Sequence, residues 1–307
     1  MGYVPERVAA IDIGTNSVLL LIAARNSEAS MTTLVDRATV TRLGRGVDAE
    51  RRLAPSAMQR TLDVLAEYAA QARELDAPIL AVGTSALRDA SNAAEFCARA
   101  REVLGVELQV IEGAREATLT FAGALVGLPV QRDEVTVIDV GGGSTELVRA
   151  DGPGLAGVSV DIGAVRITER FGLTAPTSTG ACAEVLMHAT QALRASGAVT
   201  TTRVVAVAGS ATTLAAIAGG VEPFDPARIH GTRLSIEELR ALIERIAALD
   251  ADARAAVPGL EAARADVIVG GALVLLAACQ HAQATELMVS CGGLRVGLAA
   301  ETLGVSP

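Results

Sequence analysis

Ile138-Asp139-Val140-Gly141-Gly142-Gly143-Ser144-Thr145-Glu146-Leu147 is the stretch from which the rest of the chain can be read. An apolar strand ends in a carboxylate, and a run of glycines follows at once. Ser and Thr hydroxyls come next, and then a second apolar run returns. The same grammar stands near the start, in Ile11-Asp12-Ile13-Gly14-Thr15-Asn16-Ser17-Val18-Leu19-Leu20. The two aspartates lie 139 − 12 = 127 positions apart, about one domain length. A ligand-free hairpin of this kind is common on its own. Two copies a domain apart are more specific and point to two architecturally related halves.

The pattern has a chemical meaning. A glycine has no Cβ, so its backbone N–H can come close to an anion. Successive N–H groups in such a turn form a nest for phosphate oxygens. A carboxylate at the strand end can hold Mg²⁺ that bridges to those oxygens. Two such loops facing each other would clamp a phosphate chain from both sides.

Composition narrows the chemistry. The 307 residues suit two domains of ordinary size. Half the residues are hydrophobic and only 2% aromatic, so the cores must be built from Ala, Val, Leu and Ile. With 30 glycines spread along the chain, this mix suits α/β layers joined by short turns. All 26 basic residues are Arg. The absence of Lys excludes a Walker-A lysine, a Schiff-base lysine and a pyridoxal-phosphate attachment. A phosphate site must then use Arg, backbone N–H groups and metal, and Arg grips phosphate oxygens bidentately.

The net charge of −9 argues against a general nucleic-acid binder. Cys97, Cys182, Cys279 and Cys291 show no CxxC spacing, and His188, His230 and His281 are scattered, so no zinc or thioredoxin-like motif is visible. Buried, reduced cysteines in a cytoplasmic protein are expected. The N-terminus lacks the pattern of a signal peptide. Mean hydropathy is high at +0.41. Yet the charge-free stretch Val204–Val221 is interrupted by Gly209-Ser210, Thr212-Thr213 and Gly219-Gly220, so no membrane partner is expected.

Val8–Ile13 reads as a buried strand, Ser17–Ala24 as its antiparallel return and Met31–Leu43 as further strand. Arg42-Leu43-Gly44-Arg45-Gly46 reads as a solvated turn. A helix runs from Pro55 to about Leu75, and a strand over Pro78–Val82. The loop Gly83–Asp89 then places Arg88 just past a strand end, where α/β sites are usually assembled. The plain alternative is a surface Arg paired with Asp89. A helix over Ala93–Leu104 and a strand over Glu107–Ile111 lead into Glu112-Gly113-Ala114-Arg115-Glu116-Ala117 and a helix, Thr118–Leu125. A carboxylate there is either a helix-dipole partner or a group that orients water for in-line attack. Spacing does not choose between Glu112 and Glu116.

Gly127-Leu128-Pro129 reads as the interdomain crossing. Beyond the second motif come a strand through Val160, then Asp161-Ile162-Gly163-Ala164 followed by Arg166, and a helix over Ala183–Ser196. The strand Val204–Val207 opens into Ala208-Gly209-Ser210-Ala211-Thr212-Thr213, a third strand-to-helix loop of phosphate-binding type, with a simple helix cap as the alternative. Ser235 and Glu238 carry the spacing of a capping box. Ile268–Cys279 is a buried helix and Glu286–Ser290 a strand. The last helix, Val296–Leu303, is expected to pack back on the first domain.

Together these segments resemble the actin-like ATPase superfamily and, more closely, the exopolyphosphatase / guanosine pentaphosphate phosphohydrolase family. Asp12–Ser17, Thr84–Asn92, Gly113–Ala117 and Asp139–Glu146 carry the resemblance, with Gly209–Thr213 and Ser290–Gly297 in support. It implies an α/β fold of two ribonuclease-H-like domains flanking a central cleft. Residues 1–128 form the first, completed by a C-terminal helix within 296–307, and residues 129–295 form the second. It implies hydrolysis of a terminal phosphoanhydride of inorganic polyphosphate, or of guanosine pentaphosphate, with Mg²⁺ or Mn²⁺ as cofactor. Carried over by position, Glu116 matches the catalytic glutamate and Arg88 an active-site arginine. Gly14, Thr15, Asn16 and Ser17 match the first phosphate loop, and Gly141, Gly142, Gly143, Ser144 and Glu146 the second. Gly209 and Ser210 belong to the third loop. Asp12 and Asp139 would place the metal, through waters. A homodimer fits the family.

One position departs from the family pattern. Where Ser-Gly-x-Glu-Glu-Ala is usual, this chain has Glu112-Gly113-Ala114-Arg115-Glu116-Ala117, so Arg115 replaces the first glutamate of the pair. An Arg beside Glu116 would favour its ionised form. The chain also stops where longer relatives continue into a helical domain, which points to a short-form exopolyphosphatase. The rivals are a kinase on the same scaffold and a non-catalytic polyphosphate- or alarmone-binding regulator.

Overall fold

The computed structural model describes residues 5–26 and 30–305. The first four residues of the expected N-terminal domain, and the last two of its closing segment, lie outside the described residues. The chain divides into two compact units, one running to Val126 and resuming at Leu294, the other Gly127–Gly293.

The first unit holds β1 (Arg7–Ile13), β2 (Ser17–Arg25), β3 (Met31–Val40), α1 (Val47–Glu50), α2 (Pro55–Glu74), β4 (Ile79–Gly83), α3 (Ser85–Asp89), α4 (Ala93–Leu104), β5 (Leu108–Val110) and α5 (Gly113–Leu125). The second holds β6 (Val135–Val140), β7 (Thr145–Asp151), β8 (Gly154–Val160), α6 (Ala164–Arg170), α7 (Thr179–Ala195), β9 (Arg203–Val207), α8 (Ala208–Gly219), α9 (Pro226–Ile229), β10 (Arg233–Ser235), α10 (Ile236–Ala248), α11 (Ala251–Ala255), a 3₁₀ turn (Ala262–Arg264), α12 (Ile268–His281) and β11 (Glu286–Val289). Helix α13 (Leu294–Leu303) then rejoins the first unit.

The first sheet runs β3-β2-β1-β4-β5 and the second β8-β7-β6-β9-β11-β10. In each, three antiparallel strands are followed by two parallel ones, and β10 adds an antiparallel edge to the second. This is the ribonuclease-H-like arrangement, built twice. Parallel strands need both faces covered, and β1 shows how this is done. Ala9, Ile11 and Ile13 point into a core with Leu62 and Leu65 of α2 and Phe96 of α4. Val8 and Ala10 point the other way, onto Leu119 of α5 and Leu294, Leu298 and Leu303 of α13. The period-2 alternation of a strand thus explains why β1 reads as an unbroken apolar run. In the second unit Ile138 and Val140 face a core with Val185, Leu214, Ile243 and Leu275.

Helices α5 and α13 meet backbone to backbone. A Cβ at Gly297 would lie 1.9 Å from the Leu119 carbonyl oxygen, so glycine is required there. The capping box forms, with the Ser235 side chain accepting from Glu238 N–H and the Glu238 carboxylate accepting from Ser235 N–H.

Four expectations need correction. Strand β3 ends at Val40 and not at Leu43, because the amides of Thr41, Arg42 and Gly44 turn away to bind the first hairpin loop. Helix α5 begins at Gly113 and not at Thr118, so Glu116 lies in its first turn. Helix α7 begins at Thr179 and not at Ala183, since Ser178 caps it by accepting from Ala181 N–H. Of the cysteines only Cys279 is buried, its thiol pushed up to about 12 by burial; Cys97, Cys182 and Cys291 are half-buried, and none of the four is in a disulfide. No helix among the described residues is long and apolar enough to cross a membrane.

Candidate active site

The two motif copies fold into the same hairpin. Gly14 N–H donates to the Ser17 carbonyl at 3.0 Å, and Gly141 N–H to that of Ser144 at 3.0 Å. In register, Asp12 stands opposite Leu19 and Asp139 opposite Glu146. The loops therefore correspond residue by residue, and Leu19 takes the place that buried Glu146 holds in the second. The Glu146 carboxylate accepts from Ser159 Oγ at 2.6 Å.

Each loop is held by its carbonyls. The Thr15 carbonyl accepts from Gly44 N–H at 2.8 Å, and that of Asn16 from Thr41 and Arg42 at 3.0 and 2.9 Å. In the second unit the Gly141 carbonyl accepts from Ala164 N–H at 2.8 Å, and that of Gly142 from Val165 and Arg166 at 2.8 and 3.1 Å. The Gly143 carbonyl accepts from Arg166 Nε at 2.7 Å. Gly163 makes the approach possible, since a Cβ there would lie 2.4 Å from the Gly142 carbonyl. Across a trans peptide the C=O and N–H point in opposite directions. The N–H groups of Gly142, Gly143 and Ser144 therefore turn away from α6 as a row, as do those of Asn16 and Ser17 from the 41–44 segment. Such a row is an anion-binding concavity.

Arg88 and Glu116 meet in the first unit. Arg88 lies on the short helix α3 directly after β4, and Glu116 in the first turn of α5 directly after β5. Arg88 Nη1 donates to Glu116 Oε2 at 2.7 Å and to the Ile111 carbonyl at 2.9 Å. Arg88 does not pair with Asp89, whose carboxylate faces Arg51 at 3.6 Å. Glu116 is buried, and burial pushes its carboxyl above the usual range while the Arg88 guanidinium pulls it back. Arg115 does not play the expected part. Its guanidinium turns to Glu301 on α13 in a two-pronged pair, and the cation beside Glu116 is Arg88.

Asn16 Oδ1 and Ser17 Oγ are buried and make no hydrogen bond within the described residues. Buried polar atoms of this kind ask for a partner. With the Asp12 carboxylate they present hard oxygen donors, and Asp139 and Ser144 repeat the chemistry in the second loop. Among the described residues no three His, Cys, Asp or Glu side chains gather into a ready cage. That donor set fits Mg²⁺, which takes one or two carboxylates and completes its shell with water and phosphate.

The segment expected as a third loop is the start of α8, which follows β9 with no loop between, and its first residue, Ala208, is a non-glycine residue with φ of 67°. Gly209 lies under the Arg264 guanidinium; a Cβ there would stand 2.1 Å from Nη1. Ser210 is buried against Gly271 of α12. Asp12, Gly14, Thr15, Asn16, Ser17, Arg88 and Glu116 thus belong to the first unit, and Asp139, Gly141, Gly142, Gly143, Ser144, Glu146, Gly209 and Ser210 to the second. The clasp residues Gly44 and Gly163 gave no signal beyond a glycine after a strand, and Arg166 only its place soon after Gly163.

The profile of the Ppx/GppA phosphatase family matches residues 21–305. Exopolyphosphatase 2 of Mycobacterium tuberculosis is 39% identical over 282 residues, 88% of each chain. A solved exopolyphosphatase-like protein is 31% identical, with a TM-score of 0.88 over 97% of this chain and 98% of that one. The Ppx/GppA phosphatase of Aquifex aeolicus, in its type II variant, is 30% identical, with a TM-score of 0.76 over 97% of this chain and all of the other (100%). The matched span includes Arg88, Glu116 and the whole second loop, and starts just after the first.

Proposed function

The chain belongs to the Ppx/GppA phosphatase family, and we propose that it is an exopolyphosphatase, releasing orthophosphate from the end of inorganic polyphosphate. The observation that carries this is the Arg88–Glu116 pair: a buried carboxylate just after a strand end, held at 2.7 Å by a guanidinium. A pentaphosphorylated guanosine would meet the same groups, so it is the second substrate to test.

The outward N–H rows of the two loops bind phosphate oxygens, each loop in its own unit. Arg88 neutralises charge as the bridging P–O bond breaks. Glu116 accepts a proton from the attacking water, whose oxygen bonds to the terminal phosphorus, and the shortened chain leaves with the bridging oxygen. Burial suits Glu116 to this, because a carboxylate with a raised pKa is a stronger base. Asp12 in the first unit and Asp139 in the second would each offer Mg²⁺ a carboxylate in its own loop, and the ion would supply charge neutralisation to the phosphates when bound.

The test is phosphate release at fixed Mg²⁺ from medium-chain polyphosphate, pentaphosphorylated guanosine and ATP. Fast release from polyphosphate is expected. Preference for the guanosine substrate would move the assignment to alarmone hydrolysis. Binding without release would favour the regulator.

A further inference from the structure

The turn Arg42-Leu43-Gly44-Arg45-Gly46 is only partly solvated: Leu43 and Gly44 are buried, and Arg45 is exposed. It opens a segment, 42–52, that holds Arg42, Arg45, Arg51 and Arg52 with the carboxylates Asp48 and Glu50. Four arginines against two carboxylates give the segment a charge of +2, in a chain whose net charge is −9.

The backbone of this segment is fixed at both ends. Leu43, Val47 and Leu53 are buried in the core shared with Leu62 and Leu65 of α2. Gly44 N–H donates to the Thr15 carbonyl at 2.8 Å. At the far end the Arg51 carbonyl accepts from Ser91 N–H at 2.8 Å, and Asn92 Oδ1 from Leu53 N–H at 2.8 Å. Gly44 also sits against α3, since a Cβ there would stand 3.0 Å from the Ala86 Cβ and 2.3 Å from Thr15 Cγ2. The segment therefore lies against the first phosphate loop and against the helix that carries Arg88, all within the first unit.

Its cations are not equally committed. Arg51 faces Asp89 at 3.6 Å, and Arg42 has interactions of its own. Arg45 and Arg52 are exposed, and among the described residues their guanidiniums make no hydrogen bond or ion pair. Of the carboxylates, Asp48 is engaged and Glu50 is exposed. A guanidinium fork matches phosphate oxygens. Like charges displayed together beside an anion site raise the local concentration of a polyanion.

We propose that Arg45 and Arg52 form a subsite for the phosphate units of an inorganic polyphosphate that extend beyond those held at the first loop. This rests on the reading of that loop as a phosphate site. A short chain ends at the loop and gains little from the two arginines, whereas a longer chain reaches them. The subsite thus sets chain-length preference through binding, and not the chemical step.

The experiment compares the parent with Arg45→Gln, Arg52→Gln and the double variant. kcat/KM is measured with tripolyphosphate and with medium-chain polyphosphate, and equilibrium binding of both at low and high salt. The medium-chain to tripolyphosphate ratio of kcat/KM should fall about three- to thirtyfold in the double variant, and by less in each single one. Salt should weaken medium-chain binding more steeply in the parent than in the double variant. An unchanged ratio, an equal loss with both substrates, or equal salt slopes would overturn the subsite. No phosphate release by the parent from either substrate would instead sink the exopolyphosphatase reading. The subsite would then stand or fall on binding, and equal medium-chain affinity of parent and double variant would overturn it.

Discussion

Arg88 Nη1 lies 2.7 Å from Glu116 Oε2, so the buried carboxylate and its neutralising cation are brought together by the helices that follow the neighbouring parallel strands β4 and β5. The two influences on Glu116 oppose each other. Burial raises its carboxyl above the ordinary 4.5, and Arg88 lowers it, with burial the larger.

A pH dependence follows. The folded protein keeps the Glu116 proton to higher pH than the unfolded chain does. Stability therefore falls as pH rises from 4.5 toward the raised folded value, and Glu116→Gln removes that slope. Catalysis needs the carboxylate, so the acid limb of kcat/KM should lie above the ordinary carboxylate range. Arg88→Met should move it higher still, since the lowering influence is gone. A limb at or below the ordinary value, or a downward shift in the variant, would contradict this.

Gly297→Ala should be strongly destabilising. The new methyl would meet the Leu119 carbonyl at 1.9 Å, backbone against backbone. Overpacking of this kind costs about 1–3 kcal/mol. Thermal melting should show a drop, and an unchanged Tm would mean that α13 and α5 do not meet as described.

Arg115→Ala should matter little. The pair with Glu301 is 42% and 55% exposed, and exposed pairs contribute below about 1 kcal/mol. Turnover should stay within about twofold of the parent, because Arg88 neutralises Glu116. A large loss of kcat in Arg115→Ala would put Arg115 in the chemistry after all.

The hairpins at Asp12 and Asp139 were legible because their signal is local: an apolar strand, a carboxylate, glycines and a return strand. The capping box at Ser235 was legible for the same reason. The start of α5 was not. Gly113 at its first position reads as a loop residue, and no side chain of Glu112 caps it. The partner of Arg88 was beyond local reading, since Glu116 is 28 positions away and Asp89 is adjacent. Arg115 misled because adjacent positions on a helix point to different faces. Glu116 turns inward, and Arg115 reaches a helix 186 positions later. Arg166 shows the same limit, because its acceptor is a backbone carbonyl 23 residues before it.

The most direct test is Glu116→Gln, assayed for polyphosphate hydrolysis and for polyphosphate binding in one preparation. The account predicts that phosphate release is lost while binding persists near the parental affinity. Phosphate release at the parental rate would remove Glu116 from the role of proton acceptor and contradict the central claim.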